Sequence, residues 1–279
     1  MRIVDTHLHL VYPAHLSYPW LTHVPRINQA WSVDDYFAEA AQLGIEAAIH
    51  MEVDVLSEQT LAEAHLMSTI HPSVVGVVAG CRPGDAGFEA YVDDLVATPA
   101  VKGLRHVLFG YTQDQLASDR LIDNLRSLGK QQLSFDLCAH AHQLASLIDI
   151  VDRCPGTRFI LDHCGNPKIP SENSDGWNSA IREIARRPNV VGKISGISAH
   201  AGADWSVGTL RPYFEHMIAS FGWERVVWGS DHPVVTLGGS LTRWVEATLS
   251  LVAGCSQDEK EALLSRNAER VYGLVGPSS

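Results

Sequence analysis

The amino-acid sequence predicts an α/β fold, and within that class a (β/α)8 TIM barrel that forms a single domain over residues 1–279. Short apolar runs rich in Val and Ile recur eight times, and a helix-like stretch follows each run. Most runs are continuous rather than alternating, as expected for parallel strands that are covered on both faces. Eight such units of about 35 residues each are typical of this barrel. A doubly wound open sheet is the alternative, but no GxGxxG or GxxxxGKT-type motif follows any of the strands.

The predicted strands alternate with stretches that carry the start and stop signals of helices. The strands are placed at Ile3–His9, Ala47–Val53, Val74–Gly80, Val101–Leu108, Leu133–Cys138, Phe159–His163, Val190–Ser195 and Val226–Asp231. Ser32 and Asp35 begin a helix that Gly44 ends. Ser256 and Glu259 form a capping box before the last helix. Long connections follow three of the strands, at Val11–Trp31, Asn166–Trp177 and Gly196–Gly208. In a barrel they lie at the C-terminal face, which carries the active site in enzymes of this fold.

Charge and composition exclude several classes of protein. The chain has 21 Lys and Arg against 32 Asp and Glu, a formal net charge of −11 with His neutral. This balance argues against nucleic acid and anionic membranes as partners, because little would neutralise their phosphates. No apolar run approaches the ~20 residues of a membrane helix, and the opening MRIVDTHLHL meets charged and polar residues at once, unlike a signal peptide. Five scattered Cys without a CxxC pair favour reduced thiols and a cytoplasmic protein.

The chain has 14 His residues, and several of them stand at predicted strand ends. His7 and His9 are two residues apart in a strand and share a face, where two imidazoles can hold one divalent metal. His163 ends the sixth strand and Asp231 ends the eighth. A carboxylate at that position can ligate a metal and accept a proton from a bound water. Structural roles are also open for these residues: the His side chains can be hydrogen-bonded core residues, and Asp231 can cap a turn.

Charged residues stand at the ends of other strands. Glu52, near the end of the second strand, is a candidate metal ligand or substrate contact. Arg105 and Lys193, on the fourth and seventh strands, suit a substrate carboxylate or a polarised carbonyl. Each can equally form a structural ion pair with Asp136 or Glu52 inside the barrel. Because all these residues lie at the catalytic end, and strands one and eight are neighbours on closure, the sequence predicts a metal-capable site there.

Motifs along nearly the whole chain resemble the amidohydrolase superfamily. The first set is VDTHLHL in strand one, DHCGNP after strand six and GSDHPV after strand eight. A second set is similar to the sugar-lactonase branch: YPWL at 18–21, KGLRHV at 102–107, LSFDL at 133–137, KISG at 193–196 and NAERVY at 267–272. That branch includes L-fuconolactonase, L-rhamnonolactonase and 4-sulfomuconolactonase, and it is related to the 2-pyrone-4,6-dicarboxylate lactonases. The branch usually has DxHQHFW and DHLGKP where this chain has DTHLHLV and DHCGNP.

The resemblance implies a (β/α)8 hydrolase that opens the ring of a lactone, in particular a sugar lactone. Water would attack the carbonyl, with Asp231 as the general base and His163 as the second catalytic residue, and either a divalent metal or imidazolium donors would polarise the carbonyl. A divalent metal, with Zn as the expected ion, would be held by His7, His9, His163 and Asp231, although some relatives work without a metal. The expected substrate contacts are Arg105, His106, Lys193, Trp20, Trp31 and Glu52.

Two other functions stay open on the sequence. A metal-dependent decarboxylase of the same superfamily would use the same His and Asp pattern, with Arg105 on the substrate carboxylate. A barrel that serves only as a binding or regulatory protein is the third alternative. The expected partner is a small-molecule lactone, and a homo-oligomer is compatible with the sequence. The acidic charge favours a neutral lactone over a dicarboxylate, unless Arg105, His106 and Lys193 create a local positive pocket.

Overall fold

Eight parallel strands in chain order form the sheet, in a computed structural model that describes residues 1–169 and 175–274. The strands are β1 Ile3–Leu8, β2 Ile45–Met51, β3 Val74–Gly80, β4 Val101–Val107, β5 Ser134–Cys138, β6 Arg158–Leu161, β7 Val190–Ile194 and β8 Val226–Trp228. Each strand pairs with the next along the chain. The predicted (β/α)8 barrel is confirmed, and an open doubly wound order is excluded.

A seam between β1 and the chain after β8 closes the sheet. Leu8 and His232 form a parallel bridge there. The buried Asp5 carboxylate accepts hydrogen bonds from the Ser230 amide (2.7 Å), the Ser230 hydroxyl (2.5 Å) and the Tyr36 hydroxyl (2.6 Å). Two backbone hydrogen bonds also cross the seam, from the His9 amide to the His232 carbonyl oxygen (2.8 Å) and from the Asp231 amide to the His7 carbonyl oxygen (2.9 Å), so the Asp5 side chain reinforces a short backbone ladder.

Helices cover the outside of the barrel. They are α1 Val33–Ala40, α2 Thr60–Ser68, α3 Phe88–Val96, α4 Gln113–Leu116, α5 Asp119–Lys130, α6 Leu144–Arg153, α7 Asp175–Ile184, α8 Ile197–His200, α9 Val207–Phe221, α10 Leu241–Leu251, α11 Gln257–Glu261 and α12 Asn267–Tyr272. The predicted capping residues Ser32 and Ser256 accept hydrogen bonds from the amides of Asp35 and Glu259. Of the predicted connection Asn166–Trp177, residues 170–174 lie outside the described part of the chain. None of the helices in the described ranges combines the length and apolar character needed to cross a membrane.

An inner apolar cluster fills the N-terminal half of the barrel. It is separate from the larger core that the sheet forms with the surrounding helices. Its members from the strands are Val4, Ala47, Ile49, Met51, Val78, Ile160, Val191 and Val227. Ala268, Val271 and Tyr272 of α12 complete the cluster and close this end of the barrel. The polar residues of interest lie beyond this cluster, towards the C-terminal ends of the strands.

Candidate active site

His7 and His9 lie together where β1 ends. Their ring centroids are 4.9 Å apart and the rings are nearly perpendicular, at 81°. His9 Nδ1 donates a hydrogen bond to the carbonyl oxygen of Met51 (3.0 Å), because a carbonyl can only accept. Burial, helped by the nearby Arg105 guanidinium, lowers the pKa of His9 to about 3. His9 is therefore neutral, and its Nε2 has a free lone pair.

The Asp231 carboxylate lies among three imidazoles. Its Oδ1 is 3.7 Å from His7 Nε2 and 3.6 Å from His9 Nε2. Its Oδ2 is 4.0 Å from His163 Nδ1. Burial raises the pKa of Asp231, although the His163 ring opposes this shift. The carboxylate is consequently a stronger base than an exposed Asp.

The strands that carry Asp231 and His163 end earlier than predicted. β6 stops at Leu161 instead of His163, and β8 stops at Trp228 instead of Asp231. The chain then turns sharply, with His163 at φ 52° and Asp231 at φ 60°. This left-handed backbone costs non-glycine residues about 1–3 kcal/mol, and such strain is concentrated at functional sites. The turns aim both side chains across the mouth of the barrel, which an extended strand would not do.

His163 is held by the end of β7. Its Nδ1 lies 3.0 Å from the Ser195 hydroxyl oxygen. The next residue, Gly196, has φ +69°, and a Cβ there would stand only 2.6 Å from His163 Nδ1. Only glycine therefore fits beside the ring. Burial lowers the pKa of His163 to about 4, so this imidazole is also neutral. The ring of His200 follows at 5.9 Å between centroids, in an edge contact.

Two groups of described residues could hold a divalent metal: His7 with His9 and Asp231, and His7 with Asp162 and His163. Within each group the ligand atoms lie within 4.8 Å of one another. Ligands of a tetrahedral zinc stand roughly 3.3–3.5 Å apart, close to the separations between Asp231 and the two His of β1. Both carboxylate oxygens of Asp162 are buried, and each faces a cation, Lys193 Nζ at 2.9 Å from Oδ1 and Arg105 Nη1 at 3.6 Å from Oδ2. The residues therefore fit a divalent metal.

Lys193 and two carboxylates lie beneath these imidazoles. Lys193 Nζ is 2.5 Å from Asp136 Oδ2 and 2.9 Å from Asp162 Oδ1, and all three side chains are fully buried. The same Nζ is 3.4 Å from His7 Nδ1. Burial lowers the pKa of Lys193, but the two carboxylates outweigh burial and raise it above its ordinary value. The ammonium is charged, and its position below His7 separates it from the mouth of the barrel.

Arg105 also forms ion pairs with buried carboxylates. Its Nε donates to Glu52 Oε1 (2.7 Å) and its Nη2 to the Glu52 carbonyl oxygen (2.9 Å). Its Nη1 is 3.3 Å from His7 Nε2 and 3.6 Å from Asp162 Oδ2. The ion-pair alternative for Arg105 and Lys193 describes these contacts, while substrate binding by either cation, or by Glu52, stays a prediction.

His106 belongs to a half-buried group at the rim. Its Nδ1 accepts a hydrogen bond from Arg82 Nη1 (3.0 Å), and Arg82 Nη2 pairs with Asp54 Oδ1 (3.2 Å). Burial, with Arg82 next to it, lowers the pKa of His106 to about 4. The neutral ring therefore carries its proton on Nε2, where it can donate to a substrate oxygen.

The two predicted Trp contacts anchor the connection after β1. Trp20 Nε1 donates to the carbonyl oxygen of Val53 (2.8 Å), and Trp31 Nε1 donates to that of Ile27 (3.0 Å). The Trp31 ring also makes an edge contact with His232, at 5.1 Å. Both indoles hold the loop at the mouth, and stacking on a substrate ring stays a prediction.

Three residues at this site carried no role in the sequence interpretation: Asp162, Ser195 and Arg82. Asp162 lies inside the DHCGNP motif, in which only His163 was predicted to act. The alternation of β6 offered a signal, since Asp162 is two residues after Ile160, which faces the inside of the barrel. No pattern in the sequence signals the contacts of Ser195 with His163 or of Arg82 with His106, because both join separate strands.

Comparison with known proteins gives the family and the fold. The family described as Amidohydrolase matches residues 4–274. The chain is 26% identical to an uncharacterised protein, y4mH, of Sinorhizobium fredii, over 98% of each chain. It is 26% identical to the L-fucono-1,5-lactonase of Burkholderia ambifaria, over 99% of this chain and 97% of the relative. A crystal structure of an amidohydrolase from Burkholderia multivorans with bound zinc has the same fold, with a TM-score of 0.89, 21% identity, and coverage of 99% and 100%.

Proposed function

The chain belongs to the amidohydrolase family and is a hydrolytic enzyme, and we propose that it opens the ring of a neutral sugar lactone. The observation that carries this proposal is the buried Asp231 carboxylate within 4.0 Å of three imidazole nitrogens. The similarity to an L-fucono-1,5-lactonase over nearly the full length supports a lactone as the substrate.

The proposed reaction is the hydrolysis of an internal ester. Asp231 takes a proton from a water molecule as the water oxygen attacks the lactone carbonyl carbon. The bond between that carbon and the ring oxygen then breaks, and Asp231 returns the proton to the departing ring oxygen. The product is the open hydroxy acid. The raised pKa of Asp231 suits both steps, because a carboxylate whose pKa lies closer to neutral pH can accept the proton and then return it as an acid.

The imidazoles contribute lone pairs rather than positive charge. Burial lowers the pKa of His7 well below its ordinary value, and His9 and His163 are neutral as well. We propose that these three rings and Asp231 hold a zinc ion. When bound, zinc would lower the pKa of a water to about 7 and polarise the carbonyl. The contacts of His9 with Met51 and of His163 with Ser195 fix the ring orientations, as is usual around metal ligands.

The charges around the mouth favour a neutral substrate. Arg105 pairs with Glu52, Lys193 with Asp136 and Asp162, and Arg82 with Asp54. These cations are thus already neutralised by carboxylates, so a substrate carboxylate would have to displace one of them. The sequence left a dicarboxylate open only if Arg105, His106 and Lys193 formed a local positive pocket. These ion pairs give no support to such a pocket. The same contacts weaken the decarboxylase alternative, which needs Arg105 for a substrate carboxylate.

We propose that His106, Trp20 and Trp31 recognise the sugar. The Nε2–H of His106 would donate to a hydroxyl or ring oxygen, and the indoles would form an apolar wall along the ring. Arg105 and Glu52 would then shape the pocket from below rather than bind a charged group.

A panel of aldonolactones tests the proposal. Purified protein is mixed with each lactone in a weak buffer containing a pH indicator, with added zinc and after chelation, and carbon dioxide is measured in parallel. We expect acid release from at least one neutral aldonolactone without carbon dioxide. A hydroxybenzoic acid is tested in the same way, and release of carbon dioxide from it, with no lactone opened, would favour the decarboxylase alternative over the proposal.

A further inference from the structure

The closing NAERVY motif, which forms α12, has no part in the proposed reaction. This helix is fixed at the N-terminal end of the barrel. Asn267 Nδ2 donates to the carbonyl oxygens of Trp223 (2.6 Å) and Val226 (2.8 Å), where β8 begins. Arg270 donates to the carbonyl oxygen of Glu224 in the same turn. These contacts hold α12 against the bottom of the barrel, opposite the candidate active site.

Tyr272 at the end of α12 reaches from this position into the barrel. It is 3% exposed, and its ring packs in the inner apolar cluster. Its hydroxyl oxygen is 3.5 Å from Asp136 Oδ2, and Lys193 Nζ lies 6.0 Å from the ring centroid. Burial raises the pKa of Tyr272, so the phenol keeps its proton and is the donor to the carboxylate.

Asp136 connects this phenol to the polar residues above. Its Oδ2 faces both the Tyr272 hydroxyl and Lys193 Nζ, while its Oδ1 has no hydrogen-bond partner among the described residues. One oxygen therefore carries both contacts. Lys193 in turn lies 2.9 Å from Asp162 and 3.4 Å from His7 Nδ1. The contacts form one continuous path from the bottom of the barrel to a metal-capable imidazole.

We propose that Tyr272 is a positioning residue for the active site at the other end of the barrel. Its hydroxyl fixes the rotation of Asp136, and Asp136 holds Lys193 against Asp162 and beneath His7. Without the hydroxyl, the carboxylate is free to turn and the long Lys193 side chain can withdraw from Asp162. The effect falls on the chemical step, because Lys193 contacts groups around the reacting atoms and is shielded from the mouth.

The variant Tyr272→Phe tests this role, which rests on the proposed lactonase activity for its kinetic readout. Phe keeps the ring in the apolar cluster and removes only the hydroxyl. We expect kcat to fall about 10-fold, as small displacements of reacting groups produce. KM should change less than about twofold. The crystal structure of the variant should show Lys193 Nζ farther from Asp162 than in the unaltered protein, at equal zinc content.

Arg270→Gln is the matched control, since it loosens the same helix without touching Asp136. It should lower Tm and leave kcat unchanged. The proposal is overturned if Tyr272→Phe keeps full kcat with Lys193 in place, if kcat falls in both variants in step with Tm, or if the Phe variant does not fold. If the unaltered protein opens no lactone, the proposed function fails alone, and the position of Lys193 in the two crystal structures still decides the role of Tyr272.

Discussion

The two halves of the barrel interior are built from opposite chemistry. The N-terminal half is the inner apolar cluster, where side chains such as Ile160 and Val227 are fully buried. The C-terminal half buries Asp136, Lys193 and Asp162 with no exposed surface at all. Burial of an apolar side chain stabilises by about 1.5–3 kcal/mol, whereas removing each ion from water costs several kcal/mol, which pairing with an opposite charge returns only in part. The N-terminal half therefore stabilises the fold, whereas the C-terminal half adds little net stability and has the chemistry that the proposed reaction needs.

Among these variants, Asp231→Asn should have the largest effect on the reaction proposed for the C-terminal half of the barrel. The amide cannot accept the proton of the attacking water, so kcat should fall by about 10³-fold, within the range for loss of a general base. The melting temperature of the zinc-free protein should change little, because Asn has the same shape. Lactone hydrolysis at high enzyme concentration measures the residual rate. Asp152→Asn, at an exposed ion pair with Arg187, is the control that should keep full activity. A fully active Asp231→Asn would contradict the proposed base.

Ile160→Ala should weaken the apolar half without touching the chemistry. Loss of three buried carbons leaves a cavity, and such changes cost about 2–5 kcal/mol. Urea unfolding should show the lower free energy of unfolding, while kcat of the folded protein stays within about twofold. A large fall in kcat at temperatures where the variant is folded would show that the apolar half also affects the reaction and does not act on stability alone.

Removal of the proposed zinc ion should lower the stability of the protein through the C-terminal half of the barrel interior alone. A ligand present at 100 times its Kd stabilises the folded state by about 2.7 kcal/mol. Dialysis against a chelator should therefore lower Tm and abolish lactone hydrolysis, and added zinc should restore both. In His9→Gln the zinc-dependent rise in Tm should shrink. An unchanged Tm with and without zinc in the unaltered protein would argue that no metal is bound by these residues.

His50 and Glu63 form a buried pair on the outer side of the sheet, away from both halves of the barrel interior. A smaller effect, on the pH dependence of stability, is expected there. His50 Nε2 lies 3.4 Å from Glu63 Oε1 between β2 and α2, so His50 faces the helices and not the active site. Burial, with Glu52 nearby, raises the pKa of Glu63 well above its ordinary value. A carboxyl with a raised folded-state pKa contributes stability at low pH, and this contribution is lost as pH rises through the folded pKa.

Glu63→Gln should remove this pH dependence. Gln keeps an acceptor for the Val53 amide, which Glu63 Oε1 now binds at 3.0 Å, but it cannot ionise. At pH 5 the two proteins should have similar stability, and towards pH 8 the variant should become the more stable one, by about 1.4 kcal/mol for each unit of pKa shift expressed in that window. Urea unfolding at both pH values measures the difference. An equal difference at both pH values would contradict the raised pKa.

Much of the fold and part of the site could be predicted from the sequence. Continuous apolar runs locate all eight strands, since a strand covered on both faces leaves that trace. His7 and His9 could be paired because their spacing fixes a common face. The sharp turns at His163 and Asp231 could not, because left-handed backbone at non-glycine residues depends on tertiary contacts such as the close approach of Gly196. Asp162 becomes central only once Lys193, Arg105 and His7 surround it.

The seam between β1 and β8 links the shape of the barrel to its activity. Asp5 fastens Ser230 with two hydrogen bonds, and the next residue along is the candidate base. His7 lies on the other side of the same junction, and its carbonyl oxygen accepts from the Asp231 amide at 2.9 Å. We expect heat to loosen this junction before the rest of the sheet, and so to separate Asp231 from His7 while the remaining strands and helices stay intact. Activity should therefore be lost at a lower temperature than the helical circular dichroism signal. The difference between these two temperatures measures how much the Asp5 hydrogen bonds stabilise the seam between β1 and β8.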